Sequence, residues 1–275
     1  MNKFVGIFSV LLVTACTPSG VEKVPVKKDP IAKPLNIDGS YKVVASKRLE
    51  NGLSIAWYKK GKGAQLTAGD LVMIDYKVKL KDGSVVDGNH LLKRAELPFL
   101  VGFNMQTSGW DLAFEELNVG DFVRVIIPAE LARGEVGVEG LIPPNADNIL
   151  YVKIIRKVQP NRIVDGTKVW LLEENKSNKL KFNKENKISI HFMASSPSNR
   201  MFINTFRTNQ PFSFFFKAGN VVPGLKKALI NAKTSDRLFV LVPPSEAYGA
   251  NGLIDLVKPN ESVFYNIMVM DVLKN

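Results

Sequence analysis

Very few side chains in this sequence could carry covalent or metal chemistry. Cys16 is the only thiol among 275 residues, and His90 and His191 are the only imidazoles. A lone cysteine forms no disulfide within its chain. The two histidines lie far apart, with no Cys or acidic cluster at ligand spacing, so neither a metal site nor a cofactor is expected. The residues that recur in register are of another kind, Gly, Pro and Asp, which shape backbone. Shifting Asp121–Val152 by 115 positions lays Asp121 on Asp236, Pro128 on Pro243, Ala132 on Ala247, Gly134 on Gly249, Gly137 on Gly252, Leu141 on Leu256, Pro144 on Pro259 and Asn145 on Asn260. Average composition gives roughly two identities in such a window, so eight without a gap indicate a duplicated domain.

Around this repeat the chain divides readily. Lys3 followed by the apolar run Phe4–Val13 reads as a targeting signal, too short to span a bilayer as a helix. Val13-Thr14-Ala15-Cys16 resembles the lipobox of bacterial lipoproteins, which implies cleavage of residues 1–15 and a lipid anchor on Cys16. Acyl chains at about 0.8 kcal/mol per buried methylene would hold a soluble domain on a membrane. Thr17 beside the cysteine resembles lipoproteins sorted to the outer membrane of Gram-negative bacteria, so the expected location is the envelope, facing the periplasm or the surface. Residues 16–45 read as a tether, since Thr17–Asp38 is rich in Pro, Lys and Val without helical or strand period. Loss of residues 1–15 takes the formal charge of +11 to about +10, spread over the tether and both copies. That is first a solvated surface, and second an attraction to anionic envelope polymers or lipid headgroups. No nucleic-acid partner is expected of an exported protein.

The copies are expected at 46–158 and 163–275, joined by Gln159-Pro160-Asn161. In the first, Leu71–Leu80, Asp121–Pro128 and Ile149–Val158 are strand-like, and Lys81-Asp82-Gly83-Ser84 is a tight turn. Only Trp110–Leu117 has helical spacing. Many strands and one short helix give an α+β domain.

The order of motifs carries a resemblance. Gly109-Trp110 opening the helix, Val119-Gly120-Asp121, a loop with Gly134 and Gly137, and Leu141-Ile142-Pro143-Pro144-Asn145-Ala146 look like an FKBP-type peptidyl-prolyl cis-trans isomerase over Gly52–Val158. The resemblance implies two α+β, FKBP-like domains, each an antiparallel sheet of five or six strands wrapped around a short helix, with a shallow apolar pocket for a prolyl ring. In the first copy it implies Tyr76 and Asp87 as a hydrogen-bonded pair, Trp110 as the floor, and Ile142 and Leu150 as walls. Phe99 keeps the expected ring. Val86, Leu97, Thr107 and Arg133 stand where the family has Phe, an aromatic residue, an aliphatic residue donating its backbone N–H, and Tyr. A thinned aromatic rim implies weak or altered proline binding.

In the second copy the departures are reversed. Phe202, Phe212, Tyr248 and Tyr265 supply the implied aromatic rim, and Val221 and Val222 open the helix, with the Val222 N–H available to a substrate carbonyl. Phe192, Ile203 and Leu225 replace the Tyr, the Asp and the Trp. Losing hydroxyl and carboxylate together leaves neither unsatisfied, so the fold is expected to persist. In Phe212–Phe216, rings 212, 214 and 216 are expected on one face and Phe215 on the other. Three functions remain open: an isomerase acting on proline-containing exported polypeptides, a chaperone or binding module with degenerate pockets, and a host-facing or structural envelope lipoprotein.

Overall fold

A computed structural model describes residues 41–274, so the signal, Cys16 and the tether as far as residue 40 lie outside the described residues. The chain forms two compact units, one holding residues 41–102 and 106–158, the other 103–105 and 159–274. Both are α+β, and both are antiparallel sheets with little helix.

The first unit contains β1 (Ala45–Arg48), β2 (Ser54–Lys59), β3 (Leu71–Lys79), β4 (Val85–Gly88), β5 (Leu97–Leu100), α1 (Ser108–Phe114), β6 (Phe122–Ile127) and β7 (Asn148–Val158). Its sheet runs β1-β2-β6-β7-β3-β4, with β5 also on β3. The count is seven because the nine-residue β3 pairs with β7 along one edge and with two short strands, β4 and β5, along the other. From Ile74 the pleat of β3 turns Ile74, Tyr76 and Val78 into the core and leaves Asp75 half-buried.

The second unit repeats the plan with β8 (Arg162–Val164), β9 (Thr167–Glu173), β10 (Lys187–Ser195), β11 (Ile203–Asn204), α2 (Thr205–Thr208), β12 (Phe212–Phe215), α3 (Pro223–Leu229), β13 (Arg237–Val242) and β14 (Val263–Leu273). The order is β11-β10-β14-β13-β9-β8, with β12 also on β10. Even the register slip recurs, between Met73 and Ile74 in β3 and between Ser189 and Ile190 in β10. As alternation requires, Phe214 is buried and Phe215 exposed.

The helix is shorter than the apolar spacing suggests. α1 ends at Phe114, and residues 115–117 tighten into a turn in which the Glu116 and Leu117 N–H groups donate to the Ala113 and Phe114 carbonyls. That turn frees the Leu117 carbonyl to accept from Leu66 N–H at 2.9 Å.

The repeated residues are those with no alternative backbone. Asp121 accepts from Trp57 Nε1 at 2.9 Å and from the Gly61 and Asn118 N–H groups at 2.6 and 2.9 Å. Asp236 accepts from the N–H groups of Asn175 and Lys233, each at 2.8 Å. Gly137 and Gly252 sit at φ of 62° and 66°, where an added Cβ would collide with the Ile142 and Val257 carbonyls. Asn145 and Asn260 donate their N–H to the Gly134 and Gly249 carbonyls at 2.8 and 2.9 Å, closing equivalent loops.

Candidate functional site

In the first unit, four elements converge on Trp110. β3 brings Tyr76, β4 brings Asp87, β5 brings Phe99, and α1 brings Trp110 itself. The Tyr76 ring meets the Trp110 ring edge-on at 5.3 Å, and Phe99 lies 5.6 Å from it. Phe114, one helical turn on, stacks against Trp110 at 5.9 Å and contacts Phe99 at 4.4 Å. Tyr76 and Asp87 are 0% exposed and Trp110 2%. Burial, and the Asp87 carboxylate beside it, hold the Tyr76 phenol well above its ordinary pKa.

The other residues of the set come from more distant sequence. Leu150 on β7 is buried and pairs with Val78, while Tyr76 pairs with Val152, so all four share the core face. Ile142 is buried in the loop after Gly137. Thr107 caps the start of α1 in an extended conformation and accepts from Trp110 N–H at 2.9 Å. Val86 and Leu97 are buried.

The second unit assembles a different set on the same scaffold. Phe192 on β10 lies 6.1 Å from Phe212 and 5.9 Å from Tyr265. Phe192, Val221, Leu225 and Tyr265 belong to the buried core, whereas Phe202, Ile203, Phe212, Val222 and Tyr248 pack against it while partly exposed. The Tyr265 hydroxyl donates to that of Tyr248. Burial, the neighbouring Tyr248 and this bond push the Tyr265 phenol well up. Burial also raises Tyr248, and the bond that it accepts partly offsets the rise.

Three features escaped sequence reasoning. Arg133 Nη2 donates to Oε1 of the buried Gln106 at 3.1 Å, a partner that no motif marks. Asn89 accepts from Tyr76 N–H at 2.7 Å, and Thr205 accepts from Phe192 N–H at 2.8 Å. The same thirteen-residue separation in both copies is the signal that could have found this pair. The Tyr248–Tyr265 bond joins residues that had been read only as separate rings. Among the described residues no three His, Cys, Asp or Glu side chains gather as metal ligands would, and no helix is long and apolar enough to cross a membrane.

Comparison with known proteins agrees with this duplicated plan. The chain is 26% identical over 203 residues to peptidyl-prolyl cis-trans isomerase FKBP10 of Homo sapiens, covering 74% of this chain and 34% of that protein. It is 35% identical over 139 residues to FK506-binding protein 4 of Emericella nidulans, covering 50% and 27%. The chain thus spans between a quarter and about a third of the length of these relatives. Among solved structures, the three FKBP domains of wheat FKBP73 match at 22% identity and a TM-score of 0.41, covering 82% of this chain and 97% of that one. The sequence pattern of the FKBP-type peptidyl-prolyl cis-trans isomerases matches residues 62–155 and again 178–270, and with both halves matched the chain belongs to that family.

Proposed function

We propose that the protein is a peptidyl-prolyl cis-trans isomerase that acts on proline-containing polypeptides exported into a bacterial envelope, where Cys16 anchors it by lipid. The observation that carries the catalytic part is the Tyr76–Asp87 pair held against Trp110.

Amide resonance sets a rotation barrier of about 18–20 kcal/mol, and the uncatalysed X–Pro step takes about 10–100 s. No nucleophile or metal is required. A pocket that favours the twisted amide over the planar one speeds rotation tenfold for each ~1.36 kcal/mol of difference. The twisted amide has less charge separation and loses less on leaving water, so an apolar floor at Trp110 with walls at Phe99, Ile142 and Leu150 suits it. Tyr76 and Asp87 supply the site's polar side. In the second copy Tyr248, Val222 and the aromatic rim would hold the chain on either side of the proline.

The test is a prolyl tetrapeptide assay on the full chain. Trp110→Leu, which copies the floor of the second unit, is expected to lower kcat/KM by about tenfold or more. Turnover absent from the parent protein would overturn the reading, and turnover unaffected by Trp110→Leu but lost in Tyr248→Ala would move the activity to the second copy. Membrane attachment is a separate claim: Cys16→Ser should release the protein from membranes, and retention would refute the anchor. A second reading, a holding site for unfolded chains in the second copy, is favoured by its half-exposed rim of Phe202, Phe212 and Tyr248 without a polar pair. Suppression of client aggregation in the absence of turnover would support it.

A further inference from the structure

The positive charge is unevenly divided. Residues 46–158 carry fifteen Lys and Arg against fourteen Asp and Glu, whereas residues 163–274 carry fifteen against nine. Within the second unit, lysines collect where β12 ends. Lys187 pairs with Phe215 on one side and Leu273 on the other, so the three side chains form a row on one face of the sheet. Phe215 and Leu273 are each 43% exposed, although the buried neighbours Phe214 and Val272 show that the opposite face is the core. The next residue, Phe216, has Lys184 Nζ 5.7 Å and Lys226 Nζ 5.9 Å from its ring centroid, and Lys226 also donates to the Ala218 carbonyl at 2.9 Å. Lys217 follows, exposed, and Lys274 follows Leu273. Glu185 is the nearby acid in sequence, and Asp271 occupies the next row of the ladder.

We propose that this corner is a docking surface for an anionic lipid membrane. Two exposed apolar side chains interleaved with lysines match the headgroup boundary, with Phe215 and Leu273 entering the acyl edge and the ammonium groups remaining at the phosphates. Each lysine near an anionic surface contributes in the direction of binding and is weakened by salt. An acidic polypeptide would satisfy the lysines but leave Phe215 and Leu273 uncovered, which is why the lipid surface fits better. The surface is independent of the Cys16 anchor and of either pocket. It would set which face of the second unit meets the bilayer.

The experiment is co-sedimentation of the full chain with vesicles of phosphatidylglycerol and phosphatidylcholine, and with vesicles of phosphatidylcholine alone. Parent and variants all carry Cys16→Ser, so no lipid anchor contributes and failure of the surface is distinguished from failure of the anchor. Lys184→Glu/Lys187→Glu/Lys217→Glu should reduce partitioning onto the anionic vesicles by about a hundredfold at low salt and leave binding to phosphatidylcholine unchanged. Phe215→Ser/Leu273→Ser should reduce it by about tenfold, with prolyl turnover and circular dichroism at parent values in both variants. Undiminished binding of the triple variant to anionic vesicles, or equal loss on both vesicle types, would overturn the proposal. So would vesicle binding that is unchanged while binding to polyglutamate is lost, since that identifies an acidic polypeptide as the partner.

Discussion

The loop that carries Arg133 and the loop that carries Tyr248 are held alike and equipped differently. In both, a 3-10 turn leads to an Ala at φ near −110 to −118°, then to an equivalent pair of glycines at positive φ, Gly134 and Gly137 or Gly249 and Gly252, and an Asn at φ of 56° or 60°. On that common frame, Arg133 reaches across to Gln106, while Tyr248 accepts from Tyr265. The contrast extends to the floor, where Tyr76, Asp87 and Trp110 are answered by Phe192, Ile203 and Leu225. Backbone sterics leave almost no substitute for a glycine whose Cβ would strike a carbonyl. A side chain that lines a pocket can change if its polar partner changes with it.

The comparison is broken most forcefully at the floors. Trp110→Ala is expected to destabilise the first unit by about 3–5 kcal/mol, and Leu225→Ala the second by about 2–5 kcal/mol. Urea unfolding followed by circular dichroism should show the loss, and an effect below 1 kcal/mol at Trp110 would mean that the four-ring cluster is not the packing centre of its unit. The framework is expected to respond equally in both copies. Gly137→Ala and Gly252→Ala should each cost about 1–3 kcal/mol, and a twofold difference between them would show that the loops are not equivalent.

The polar pair gives a sharper test. Tyr76→Phe alone or Asp87→Ile alone should cost about 1–3 kcal/mol, because each leaves the other buried polar group facing an apolar side chain, whereas the double change, which reproduces the second copy, should be closer to neutral. Additive losses would contradict the coupling. The smallest effect is expected at Tyr265→Phe, about 0.5–1.5 kcal/mol. Removing the donated proton should raise the Tyr248 phenol further, which ultraviolet titration of phenolate would read. Tyr76 and Tyr265 are both raised above their unfolded value of about 10. Their contribution to stability is therefore complete below pH ~10 and is lost as pH rises above it, because the unfolded chain then ionises first. Each Tyr→Phe change should blunt alkaline unfolding.

The eight repeated residues were enough to read the duplication and the α+β class, because Gly, Pro and capping Asp report backbone conformation directly. Apolar periodicity located β3, β6 and β7 but overextended α1, since Leu117 faces the core equally well from a helix or from a tight turn. Positions such as Tyr76, Asp87 and Trp110 were named only through the order of family motifs. The partners Gln106 and Asn89 were invisible because their roles depend on what lies opposite them across the fold.

Sequence by itself determined that this chain contains one framework twice, that Tyr76, Asp87 and Trp110 of the first copy are answered by Phe192, Ile203 and Leu225 in the second, and that the chain belongs to a prolyl isomerase family. Tertiary structure alone decided that Asp87 stands close enough to raise the Tyr76 phenol, that Tyr265 donates to Tyr248, and that Phe215 and Leu273 flank Lys187 on an exposed face. The reason is range. Backbone geometry is a local property that single residues encode, whereas side-chain neighbours and surface patches join residues 11 to 86 positions apart, whose proximity exists only after the strands have paired.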